Sequence, residues 1–127
     1  METLTTRGIS ISVDQEYWAP YSQPERDHYV FAYQIRIENV GLDSVQLTKR
    51  CWKVTNACGQ VRMVEGPGVV GETPILYGGE SYTYTSWCQL RSPLGAMEGF
   101  YTMQTEYGST FPVFVPKFLL AAPWMSN

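Results

Sequence analysis

The feature that most constrains this chain is a two-residue hydrophobic alternation running almost from one end to the other. Ile9, Ile11 and Val13 alternate with Ser10, Ser12 and Asp14. Tyr29, Phe31, Tyr33, Ile35 and Ile37 repeat the pattern, with Val30, Ala32, Gln34, Arg36 and Glu38 opposite. Successive side chains of an extended strand point to opposite faces, so period two marks a half-buried strand. No segment carries a sustained apolar stripe at helical spacing, so essentially no long helix is expected.

The remaining segments follow the same rule. Val45 and Leu47 open a third strand that continues through Trp52 and Val54. A turn at 56–59, with Gly59 able to take positive φ, returns the chain along 61–65. A short strand is expected at 74–76. Tyr82, Tyr84 and Ser86 line one face of the next strand, and Met97, Gly99, Tyr101, Met103 and Thr105 one face of another. The last strand runs from Phe111 to about Ala122. Pro112 and Pro116 each delete a ladder donor there, which makes it an edge strand or a bulged one. Loops are expected at 18–27, 39–44, 78–79, 89–96 and 107–110, where Gly, Pro, Asn and Ser gather. About seven strands with regular turns predict an all-β fold, an immunoglobulin/fibronectin type III-like antiparallel β-sandwich. A small barrel is the structural alternative. The 127 residues suit one domain over 1–127, with its core at about 8–123 and a frayed segment at 124–127.

The net charge of −3 argues against a dedicated nucleic-acid binder, which needs a basic stripe to neutralise phosphates. Lys49, Arg50 and Lys53 come closest to a basic cluster, and a solvated strand face accounts for them. Cys51, Cys58 and Cys88 form no C-x-x-C pair, and an odd count without a signal segment points to reduced thiols and a cytoplasmic location. No apolar run is long enough to cross a membrane.

One motif stands apart. Gly66-Pro67-Gly68-Val69-Val70-Gly71 matches the G-x-G-x-x-G of dinucleotide-binding folds. That motif must end a strand and open a helix whose N-terminus faces pyrophosphate. Here Pro67 lacks an N–H, two β-branched residues follow, and Pro74 stops any helix after one turn, so a Rossmann site is excluded. Two readings stand. In the first, the glycines serve backbone geometry. In the second, the N–H groups of Gly68, Val69, Val70 and Gly71, with Gly66 before them, converge as a nest on a phosphate or pyrophosphate.

These segments together resemble the ApaG family. The resemblance is carried by Tyr29-Val30-Phe31-Ala32-Tyr33, Val45-Gln46-Leu47, the Arg50-x-Trp52 pair, and Gly66-x-Gly68-Val69-Val70-Gly71-Glu72-x-Pro74. It extends through Tyr84-Thr85-Ser86-x-Cys88-x-Leu90, Pro93-x-Gly95-x-Met97-x-Gly99 and Pro116-x-Phe118, about residues 8–123 in all. It implies a fibronectin-type sandwich. It also implies an association of the bacterial proteins with cobalt resistance and magnesium efflux. In eukaryotes the domain is joined to F-box and polymerase-interacting proteins, which implies protein recognition. Many relatives carry His where this chain has Cys51 and Pro where it has Gln89.

Residue chemistry offers little for a metal or a reaction. A Mg²⁺ or Co²⁺ site wants clustered carboxylates or histidines, and His28, beside Glu25, Arg26 and Asp27, reads as a solvated turn. Cys88 with His28 is the one conceivable nucleophile–base pair, at remote sequence positions. The expectation is a non-catalytic module with no cofactor and no metal that binds a protein partner. Exposed sheet edges and the loop-proximal aromatics Trp18, Tyr21, Trp87 and Trp124 support it, with Trp18, Tyr21 and Trp87 as the candidate contact residues. Any tie to cation homeostasis is then indirect, and a homodimer is compatible with the same edges. The alternative is binding or hydrolysis of a phosphate-bearing ligand, pyrophosphate or nucleotide, at the glycine loop.

Overall fold

A computed structural model describes residues 1–125. Nine strands, all paired antiparallel, form two sheets among the described residues. The first sheet has the order β1 (Glu2–Thr6), β2 (Ile9–Tyr17), β3 (Tyr29–Asn39), β7 (Ser81–Leu90). The second has the order β5 (Val61–Pro67), β4 (Val45–Asn56), β8 (Leu94–Thr105), β9 (Thr110–Ala121), with the short β6 (Ile75–Leu76) added to one end of β4. The sandwich expected from the alternation is the observed architecture.

The core is the meeting of the two inner faces. Ile9, Ile11, Phe31, Ile35 and Ile37 from one sheet pack against Leu47, Trp52, Tyr101, Met103, Val113 and Leu120 from the other. Trp52 is the hub of the aromatic part, with its ring centroid 5.7 Å from Tyr33, 6.0 Å from Tyr101 and 6.2 Å from Phe118.

Two bulges reset the alternation. In β4, Leu47 faces Met103 and Lys49 faces Thr102, so Thr48 is the extra residue. The buried set switches from Val45 and Leu47 to Trp52 and Val54 across it. In β9, Val115 faces Gly99 and Phe118 faces Met97, so the bulge falls at Pro116 and Lys117. Pro112 and Pro116 therefore sit on an edge strand, and Pro116 also sits at a bulge, where a missing N–H removes no ladder bond.

Several local expectations need correction. β1 precedes the first strand read from sequence, turning back through Arg7 and Gly8, both at positive φ. Its residues are mostly exposed, so it lacked an apolar signal. The loop expected at 89–96 shrinks to 91–93, because β7 and β8 extend into it. Trp124 is not frayed: it lies in a short 3-10 turn with its ring 5.5 Å from Tyr17 and 6.4 Å from Tyr29. The rest of that expectation, residues 126–127, lies outside the described residues.

Candidate functional site

The glycine motif is a turn between strands, and each glycine has its own reason. Gly66 pairs with Arg50 across β4 and β5, and a Cβ there would lie 2.9 Å from the Arg50 guanidinium. Gly68 has φ +57, and a Cβ would lie 2.1 Å from the Glu72 carbonyl oxygen. Val69 and Glu72 exchange both backbone hydrogen bonds, at 2.8 and 2.9 Å. Between them Val70 and Gly71 take φ 47 and 78, the signature of a type I′ turn. Val70 is a costly residue for that conformation, since a β-branched side chain crowds the left-handed region.

This geometry corrects the four-amide nest. The Gly68 N–H donates to the Thr48 carbonyl at 2.8 Å, and the Val69 N–H to that of Glu72. Only the Val70 and Gly71 amides at the turn tip donate to no backbone carbonyl among the described residues. The Val69 side chain is buried in the core, so it anchors the turn rather than facing a ligand.

Arg50 is the residue whose role the sequence reading missed. The Thr48 bulge rotates it out of the solvated face that Lys49 and Lys53 occupy and onto the inner face beside Tyr101. Its Nη1 donates to the carbonyls of Pro67 and Gly68, at 2.9 and 3.1 Å. Arg50 thus pins the glycine turn from inside the sandwich. It also lines a cleft of about 350 Å³ between β5 and β7, with Tyr33, Trp52, Arg62, Ser86, Trp87 and Cys88. Arg62 crosses that cleft, its Nη2 lying 3.6 Å from Cys88 Sγ and 3.2 Å from the Gln89 carbonyl. Among the described residues neither guanidinium forms an ion pair with a carboxylate.

Behind the cleft stand three buried phenols. Tyr84 and Tyr101 share a short hydrogen bond between hydroxyls. Burial pushes the hydroxyl pKa of Tyr33, Tyr84 and Tyr101 above the usual tyrosine value. Burial likewise raises the Cys88 thiol, and Arg62 pulls it part of the way back. A thiol held upward is a weak nucleophile at neutral pH. Cys88 faces Arg62, while His28 lies at a loop bridge to Gln23, and no hydrogen bond joins Cys88 to His28. All three cysteines are free thiols. Among the described residues no group of three or more His, Cys, Asp or Glu comes together, and no helix is long and apolar enough to cross a membrane.

The three candidate contact aromatics flank β3: Trp18 and Tyr21 come from the 3-10 turn that follows β2, and Trp87 from β7. Val30 and Ala32 point away from the core, opposite Phe31 and Tyr33, yet both are buried. The turn Ala19–Tyr21 packs on β3 there. The Trp18 N–H donates to the Val30 carbonyl at 2.8 Å, and the Val30 N–H donates to Ser22 Oγ at 2.9 Å. The Trp18 and Tyr21 rings lie 5.3 Å apart. On the other side of β3, Trp87 pairs with Ala32. Tyr21 and Trp87 are 66% and 62% exposed, values far above those of a ring spent on the core.

Comparison with known proteins places this framework. A family model described as the ApaG domain matches residues 19–105. Protein ApaG of Rhodospirillum centenum is 50% identical over 123 residues, covering 97% of this chain and 95% of that one. Protein ApaG of Parvibaculum lavamentivorans is 46% identical over the same shares. Among solved structures, the putative ApaA protein from Bordetella pertussis superposes with a TM-score of 0.88 at 42% identity, covering 91% of this chain and 94% of that chain. The X-ray structure of a structural genomics target superposes with a TM-score of 0.90 at 37% identity, covering 95% and 92%.

Proposed function

This chain belongs to the ApaG domain family, and on that premise we propose that it is a non-catalytic module that recognises a protein partner through the outer face of its four-stranded sheet. The observation that carries the reading is the assembly of Trp18, Tyr21 and Trp87 around the buried outward-facing pair Val30 and Ala32. Rigid aromatic rings lose little entropy on binding, and they dominate interface energetics. In this reading the family's association with cobalt and magnesium handling reaches this chain through the partner, and the chain itself holds no ion.

The test is affinity capture with wild type, Tyr21→Ala and Trp87→Thr. Both rings are mostly exposed, so each variant is expected to unfold within about 0.5 kcal/mol of wild type. A partner recovered by the wild type and lost by both variants supports the reading. Equal recovery by all three folded proteins removes it.

A further inference from the structure

The edge of β7 differs from the other three sheet edges. β9 carries Pro112, Pro116 and Lys117, β5 carries Arg62, Glu65 and Pro67, and β1 begins at Glu2 and packs against β9. Charges and prolines of this kind blunt an edge against added strands. β7 reads Ser-Tyr-Thr-Tyr-Thr-Ser-Trp-Cys-Gln-Leu, without a charge or a proline.

The hydrogen-bond parity identifies which groups the edge offers. β3 turns its even-numbered residues toward the β2 side, since Val30 bonds both Trp18 and Ser22. Its odd-numbered residues therefore bond β7, and they stand opposite Tyr82, Tyr84, Ser86 and Cys88. Thr83, Thr85 and Trp87 consequently turn N–H and C=O away from β3, toward open solvent. The Gln89 carbonyl confirms the parity, because Arg62 reaches it from outside the sheet. Three residues spaced by two, each presenting a donor and an acceptor, match what an incoming strand requires.

We propose that β7 accepts an extended acidic segment of a protein partner as an added strand. The occupant is set by charge. The inward side chains of an added strand would look into the cleft beside Ser86 and Cys88, where Arg50 and Arg62 stand without a carboxylate. Acidic residues at alternate positions meet those cations, and apolar residues between them meet the exposed ring of Trp87. A second copy of this chain fits badly, because its own β7 would bring no carboxylate to the arginines. This inference rests on the protein-recognition reading and adds to it an edge, a backbone geometry and a charge pattern.

The test uses short fluorescein-labelled peptides read by anisotropy and by amide NMR of the full chain. One alternates glutamate with valine, and its control alternates lysine with valine. The glutamate peptide is expected to bind and to shift the amides of Thr83, Thr85 and Trp87. The lysine peptide is expected not to bind. Thr85→Pro removes an edge-facing N–H without removing a ladder bond, and Arg62→Glu reverses a cleft charge. Each is expected to weaken binding at least about tenfold. Equal binding of both peptides, or undiminished binding to Thr85→Pro, overturns the proposal. So does self-association that Thr85→Pro abolishes, since it would make a second copy the occupant. Capture of a partner that survives Thr85→Pro and fails with Tyr21→Ala would sink the strand and leave the aromatic-face reading standing.

Discussion

The two flanks of the sandwich handle the same problem differently. On one side β1 and β9 close the gap between the sheets. Thr6 Oγ accepts the Phe114 N–H at 3.3 Å, and the Arg7 guanidinium lies 4.4 Å from the Phe111 ring centroid. On the other side β5 and β7 stand apart, and the bridging contacts come from Arg62. The closed flank joins strands backbone to side chain. The open flank is held from behind by rings and leaves cations and strand edges available. An edge left uncovered in this way is a ready template for an added strand.

If rings support the open flank, removing the central one is the largest single perturbation. Trp52→Ala deletes the ring that Tyr33, Tyr101 and Phe118 share. The expected loss is about 3–5 kcal/mol of unfolding free energy, measured by urea denaturation. A loss near 1 kcal/mol would mean that the strand ladders alone hold this side.

The phenol pair is the next step down. Tyr84→Phe leaves the buried Tyr101 hydroxyl without its partner, at a cost of about 1–3 kcal/mol. The double variant with Tyr101→Phe should recover part of that, because neither polar group is then orphaned. The pH dependence has a definite sign. The folded hydroxyls titrate above the ordinary value of 10.0. Their contribution is therefore fully present below pH 10 and is lost as pH rises through the folded values. Alkaline unfolding curves should be steep above that point in wild type and flatter in the double variant. Identical curves would show that these phenols do not couple to folding.

How much of this was legible in the sequence depends on how the signal was spread. Period two displayed the sandwich because each inner face repeats along its own strand, as in Phe31, Tyr33, Ile35 and Ile37. The proline pair in β9 announced an edge because a missing donor has only local consequences. Arg50 was missed although its signal was present. Val45 and Leu47 are odd-numbered and Trp52 and Val54 even-numbered, so the strand must contain an extra residue between them. That bulge carries Arg50 inward. The glycine motif suggested converging amides because spacing cannot say which N–H groups are already spent on Thr48 and Glu72. The grouping of Trp18, Tyr21 and Trp87 depends on β7 pairing with β3 across more than forty intervening residues, and no local pattern encodes that pairing.

The closed flank supplies the smallest and most local test. Thr6→Val keeps the shape of the side chain and removes the oxygen that accepts the Phe114 N–H. The expected cost is about 0.5–1.5 kcal/mol, since the amide lies near the surface and water takes part of the bond. Amide exchange distinguishes this from general loosening. The Phe114 N–H should exchange faster in the variant, while that of Thr85, already facing open solvent, should be fast in both proteins. If Phe114 is as unprotected as Thr85 in wild type, the two flanks are equally open. The asymmetry on which strand acceptance at β7 depends would then be gone.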